Sequence, residues 1–397
     1  MLAGPFCSQV LADQGADVVK IESAQGDMSR TVGAYRADDA AHAFGGYYVS
    51  INRNKRSIVV DLKSASGVEV IHRLVAGADV VVENFRCGVM ERLGLSYESL
   101  SALNPRLVYA AIRGFGDPRT GTSPYQEWPA FDVTAQAMGG IMGITGPDAK
   151  TPTKIGPGVG DLVPGLYAAF GILAAVHEAM KTGRGQYVDV SMVDCILALC
   201  ERLVHRYSVS GAVSVPEGNG HPMLAPFGLF PACDGVVSIA CPNDAFWTRL
   251  CDLLELPGMA ADPRFATARS RVANRHALDT GISAHTSRLT KAELQAKLGG
   301  QLPFGPVMDA AEIFADPHFR ARRMIVPVDC PGLNRPIEVA GVPVRMTRTP
   351  GGIRRRAPRL GEDTCEVLGE CGYSAAELER LRRDGVIRQW IQGEEAS

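Results

Sequence analysis

The tetrapeptide Gly158-Val159-Gly160-Asp161 sets a carboxylate beside glycines, just ahead of a run of small and apolar residues at 162–180. Glycine lacks a Cβ, so backbone or ligand can approach such a turn closely. An aspartate at a helix start also faces orphan N–H groups and the positive end of the helix dipole, which keep it ionised and held in one direction. A helix cap needs those properties, and so does a carboxylate nucleophile that attacks an acyl carbon. The tetrapeptide alone leaves both open. His221, in Gly218-Asn219-Gly220-His221-Pro222, has no partner ligands near it in sequence and reads as a loop residue, so no metal site is assigned.

The elements that must carry Asp161 are legible as an alternation. Runs rich in β-branched residues at 16–21, 57–62, 78–83, 107–112 and 186–192 are separated by helix-like segments such as 6–14 and 65–76. This is the βαβ pattern of a parallel, doubly wound sheet. The chain starts directly in the turn Leu2-Ala3-Gly4-Pro5, so a strand is expected upstream of Leu2. The polar, glycine-rich stretch 211–226 reads as a linker. Beyond it, a smaller α/β unit is expected from a strand at 236–240 and helices near 245–254, 291–298 and 308–314. Runs 325–328 and 337–346 should pair as antiparallel strands, and Ser374-Ala375-Ala376-Glu377 is a capping box.

Composition narrows the class. The chain has 397 residues, 46% of them hydrophobic and 21% charged, with a formal net charge of −2. That balance suits a globular chain of about two domains and offers little electrostatic support for nucleic-acid binding. Arg354-Arg355-Arg356 reads as a solvated face. The uncharged run 162–176 is shorter than the ~20 residues a membrane span needs and reads as a buried helix. With no signal-peptide pattern, a cytoplasmic setting is expected and no membrane partner. The ten cysteines include no CxxC pair, which points to reduced, mostly buried thiols. No dinucleotide site is expected, because Ala3-Gly4-Pro5 puts proline where a second glycine must admit a pyrophosphate.

Separated stretches together resemble the family III (CaiB/BaiF-type) CoA-transferases, which include formyl-CoA and carnitine CoA-transferases. They are Leu2-Ala3-Gly4-Pro5, the segment from Gly15 to Glu22, Gly26-Asp27-Met28-Ser29-Arg30, Asn54-Lys55-Arg56-Ser57, Asp61-Leu62-Lys63, Val82-Glu83-Asn84-Phe85, Asn104-Pro105-Arg106, Gln136 to Gly140 with Thr145-Gly146, Gly160-Asp161, and Thr182 to Gln186. Their ordered succession covers nearly the whole chain. The resemblance implies a Rossmann-like large domain from residues 1–200 and 325–397, a linker with a glycine flap at 201–225, an inserted small α/β domain at 226–324, and an interlocked homodimer. By the same matching, Asp161 is the catalytic aspartate. Val60, Lys63, Asn84, Phe85 and Arg92 bind coenzyme A, and Gly218, Gly220 and His221 form a mobile flap.

The implied chemistry moves CoA from an acyl-CoA thioester to a carboxylic acid through aspartyl anhydride and aspartyl-CoA thioester intermediates, with no permanently bound cofactor. Two positions depart from the formyl-CoA members: Ser23 stands for an arginine and Leu2 for a glutamine. Formyl or oxalyl specificity is therefore not expected. An α-methylacyl-CoA racemase would need a histidine where Ala130-Phe131-Asp132 has phenylalanine, which exchanges no proton. A non-catalytic CoA-binding protein would not need Asp161. Plain structural alternatives accompany the binding residues: Lys63 as a solvated side chain, Asn84 as a strand end, Phe85 as core, and Arg92 paired with Glu91 or Glu98. Arg113, closing the strand 107–112, is read as an anchor for the second carboxylate of a short diacid such as succinate, itaconate or mesaconate, or else as a partner of a CoA phosphate or a structural carboxylate.

Overall fold

The computed structural model describes residues 1–391. Its strands lie where β-branched residues alternate with helical segments: β1 Val18–Glu22, β2 Lys55–Val60, β3 Val80–Glu83, β4 Val108–Arg113 and β5 Tyr187–Ser191. The intervening helices are α1 Ala3–Asp13, α2 Gly46–Asn52, α3 Ala65–Ala76, α4 Val89–Arg92, α5 Tyr97–Leu103, α6 Asp132–Met138 and α7 Val159–Thr182, with α8 Met192–Leu199 following β5. Among these five strands β1 pairs with β2, β3 with β4 and β4 with β5, all parallel, and the C-terminal strand Ile387–Arg388 pairs antiparallel with β2. One doubly wound sheet was expected, but the strands form two three-stranded sheets, because no described strand joins β1 to β3.

Contacts divide the chain into two compact units. The first holds 1–141, 155–205 and 317–391, and the second 142–154 and 206–316. The stretch 142–154 joins the second unit partly because Gly218 N–H donates to the Gly146 carbonyl at 2.9 Å. In the first unit, Ile58 and Val60 of β2, Val70 and Ile71 of α3, and Leu107 and Tyr109 form a core with Val367 and Leu368. The strands Ile325–Val328 and Ile337–Ala340 pair antiparallel, the second ending earlier than the expected 346. In the second unit β6 Phe227–Ala232, β7 Gly235–Ala240 and β8 Phe304–Pro306 form an antiparallel sheet over a core that includes Trp247, Leu250, Leu278 and Leu294. Cys7, Cys195, Cys200, Cys241, Cys251 and Cys330 are buried.

The helix that carries Asp161 differs from its expected form. It runs 24 residues, with Pro164 inside it, and is long and apolar enough by composition to cross a membrane. One face is buried through Gly160, Pro164, Gly165, Ala168, Ala169, Ile172, Ala175 and Ala179. These small residues admit α1 closely: a Cβ on Gly165 would stand 2.9 Å from the Ala3 carbonyl oxygen. The opposite face is open rather than buried, with Phe170 74% and Met180 73% exposed and Leu166, Tyr167 and Leu173 also exposed.

Candidate active site

Asp161 is the third residue of α7, while Gly158 occupies the N-cap position and, lacking a side chain, gives no capping bond. The first turn is satisfied from outside: Asp132 Oδ1 accepts the Gly160 N–H at 2.8 Å. The cap reading of Asp161 is therefore set aside. Among the described residues no hydrogen bond to the Asp161 carboxylate is found, and the group is half-buried. Burial first, and then the like charge of Asp132, push its carboxyl up to about 6. At neutral pH it remains mostly ionised and more basic than a solvated aspartate.

The amino end of α1 packs against both the turn that leads into α7 and Asn84, just after β3. Leu2 Cδ2 is 3.1 Å from where a Gly158 Cβ would stand, and on the other side the Asn84 Cβ is 3.1 Å from where a Gly4 Cβ would stand. Asn84 is fixed there by its Nδ2, which donates to the Ile112 carbonyl at 2.7 Å. Tyr47, on α2, is a further neighbour. Its phenol is raised by burial and then by the negative charges of Asp161, Asp132 and Asp27, so it stays protonated.

The other candidates are placed unequally. Phe85 is 47% exposed, not core, and its N–H donates to Glu83 Oε2 at 2.7 Å. Lys63 is exposed in the β2–α3 loop, where its N–H donates to Asp61 Oδ1 at 3.0 Å. Arg92 is exposed on α4; the carboxylates first considered for it, Glu91 and Glu98, are taken by Arg119. Val60 is 1% exposed with its side chain in the core, so only its backbone is available to a ligand. In the second unit Gly218 has φ +70°, and Gly220 packs where a Cβ would meet Arg275 Nη1 at 2.9 Å. The His221 ring lies 5.1 Å from that of Phe227. Arg275 donates to the carbonyls of His221 and Leu224, and the loop borders a cavity of about 200 Å³ that includes Asn219, Gly220, Phe227, Arg275 and Asp279.

Arg113 requires a correction. It is 5% exposed and held between Glu83, at 2.9 Å, and Asp117. Asp117 also binds Arg119 and the Tyr187 hydroxyl. A guanidinium enclosed by two carboxylates has no free fork for a substrate, so the structural-carboxylate alternative describes it and the acceptor-anchor role does not. Glu22, at the end of β1, is likewise filled by Arg30, Ser57 and the Asp27 N–H, leaving no acid there for a ribose. The residues missed in the sequence are Asp132 and Gln136, whose spacing of four on a helix was the available signal.

Known proteins give the same direction. A family model described as CoA-transferase family III matches residues 1–364. Succinyl-CoA:mesaconate CoA-transferase of Haloarcula hispanica is 48% identical over 375 residues, covering 94% of this chain and 93% of that one. Succinate–glutarate CoA-transferase of Agrobacterium fabrum is 38% identical over 387 residues, covering 96% and 94%. The crystal structure of a CaiB/BaiF family protein from Brucella suis superposes with a TM-score of 0.84 at 38% identity, covering 93% of this chain and 96% of that chain.

Proposed function

The chain belongs to CoA-transferase family III and is a CoA-transferase; on that premise we propose that it moves CoA from succinyl-CoA to another short dicarboxylic acid, with Asp161 as nucleophile. The observation that carries the nucleophile is the half-buried Asp161 carboxylate with its raised basicity, on a first turn capped by a different residue. The diacid preference is supported by the substrates named for the two relatives above.

In the proposed cycle the Asp161 carboxylate attacks the donor thioester carbonyl, the C–S bond breaks, and CoA leaves as thiolate from a mixed anhydride. The thiolate attacks the aspartyl carbonyl, releasing the donor acid and leaving an aspartyl-CoA thioester. The acceptor carboxylate attacks that thioester, forming a second anhydride and freeing the thiolate. The thiolate then attacks the acceptor's acyl carbonyl, giving the new acyl-CoA and restoring the Asp161 carboxylate. Thioester energy is conserved throughout, and the cycle calls for no resident cofactor. Backbone N–H groups of the glycine turns would hold the developing oxyanions. Lys63, Asn84, Phe85 and Arg92, with the backbone at Val60, would bind CoA at the carboxyl ends of β2 and β3, the ligand edge of open α/β sheets. Gly218, Gly220 and His221 would act as the flap that excludes water from the anhydrides.

The first unit is read as a Rossmann-like large domain with the second inserted, on the support of its parallel registers. A homodimer, interlocked as in the family, is supported by the open apolar face of α7, since such faces mark contact surfaces. The reaction is placed in the cytoplasm, in keeping with ten free thiols, and without nucleic-acid or membrane partners. The functional test is a panel of acyl-CoA donors against carboxylate acceptors, read by mass spectrometry of the CoA esters. Fastest exchange between succinyl-CoA and mesaconate, itaconate or glutarate supports the proposal; preference for monoacids overturns the diacid assignment.

A further inference from the structure

Asp161 receives no side-chain hydrogen bond among the described residues, so its direction is set by the backbone that carries it. That backbone is weakly specified locally: Gly158 gives no cap, and the first amides of a helix have no partner within it. The missing partner comes from α6. Asp132 Oδ1 accepts the Gly160 N–H at 2.8 Å, and the Asp132 carbonyl sits 2.4 Å from where a Cβ on Gly160 would stand, so only glycine permits the approach.

Asp132 is itself gripped. Gln136, one turn later and fully buried, donates from Nε2 to both Asp132 oxygens at 2.9 and 3.0 Å. The Gln136 Oε1 accepts the Ile155 N–H at 3.0 Å, so one amide group fixes both the cap and the segment leading into α7. We propose that Asp132 is a positioning residue for the transferase reaction: clamped by Gln136, it holds the first turn of α7 and so directs the Asp161 carboxylate at the thioester carbonyl. The proposal rests on the reading of Asp161 as nucleophile.

The same side chain adds a charge effect. The groups that face Asp161 are the Asp132 carboxylate from α6, the Tyr47 phenol from α2 and the amino group of Met1; after burial, Asp132 raises Asp161 and the amino group lowers it. Removing the Asp132 charge lowers the Asp161 pKa, so the acid limb of the rate profile moves to lower pH.

The test compares wild type with Asp132→Asn, Asp132→Ala and Asp132→Glu in the full-length protein, with folding checked by thermal melts. Single-turnover acylation by succinyl-CoA is followed against pH, and kcat and donor KM are measured separately. Asp132→Asn keeps an oxygen for the Gly160 N–H and loses the charge. Its acid limb should fall by about half a unit to one unit, the size expected for one nearby like charge. Asp132→Ala loses both functions, and kcat should drop about 100-fold with donor KM little changed, as expected when orientation rather than binding is lost. Asp132→Glu should recover part of the rate. A folded Asp132→Ala enzyme with wild-type kcat overturns the proposal, and if that variant does not fold, an unshifted acid limb in Asp132→Asn does so. An Asp161 adduct in wild type together with unaffected Asp132 variants removes this inference alone; absence of the adduct during turnover removes the nucleophile as well.

Discussion

A carboxylate kept basic by burial costs the fold something in return. The Asp161 carboxyl sits at about 6 in the folded chain against an ordinary value near 3.8. A raised carboxyl pKa means that the folded state holds its proton longer than the unfolded one, so stability falls as pH rises from about 4 to 6 and stays lower above that. Asp161→Asn, neutral at every pH, should therefore be more stable than wild type at pH 7 by roughly 1–3 kcal/mol and lose this advantage below pH 4, as read from urea midpoints. Activity has the opposite dependence, because only the ionised form attacks. kcat/KM for the donor should fall about tenfold per unit below pH 6, and a flat profile down to pH 5 would rule out the assigned basicity. Arg113 shows what one residue's sequence context conceals. Its place at the end of an apolar strand was legible, but Glu83 lies 30 positions away, and nothing local announces the enclosure. The diacid preference it first suggested is instead supported by the relatives' substrates. Arg113→Met should cost about 3–5 kcal/mol by leaving the buried Glu83 carboxylate without its ion-pair partner, while Asp117 keeps Arg119 and the Tyr187 hydroxyl, with diacid and monoacid acceptors affected alike. A selective rise in KM for diacids would restore the anchor role.

Among the elements, those with strong local signals were the readable ones. The helix Ala65–Ala76 starts after Ser64, whose hydroxyl accepts the Gly67 N–H, and the expected capping box at Ser374 forms with Glu377. Both depend on residues three apart. The start of α7 depends on Asp132, 28 residues earlier, so the chain around Gly158 could not disclose which group caps it. The open face of α7 was missed for a related reason: an apolar run reports that a helix seeks burial, not whether its own chain supplies the cover on every side. The contact between α6 and α7 gives a sharp expectation. Gly160→Ala would put a methyl 2.4 Å from the Asp132 carbonyl oxygen and 3.0 Å from the Ala135 Cβ, forcing the two helices apart. The variant should fold with a lowered melting temperature and lose at least about 100-fold in kcat. Near-normal turnover would show that the spacing is not critical.

For the whole molecule, the family and its CoA-transferase activity were legible because many short motifs fall in order along the chain, a signal independent of any one contact. The division into two sheets was not, since strand order is a long-range property that alternation alone does not specify. The open apolar face of α7 predicts a dimer in sedimentation analysis; Phe170→Glu with Leu173→Glu should shift the protein toward monomer or aggregate, and a monodisperse wild-type monomer would refute the homodimer. The most direct test of covalent transfer weighs the intact chain during turnover. Mixed with succinyl-CoA and quenched, the protein should gain the mass of a CoA thioester, peptide mapping should place it at Asp161, hydroxylamine should convert it to an Asp161 hydroxamate, and Asp161→Ala should show neither adduct nor transfer. An unmodified chain under continuing CoA exchange, or a folded Asp161→Ala enzyme that still transfers CoA, would contradict the mechanism.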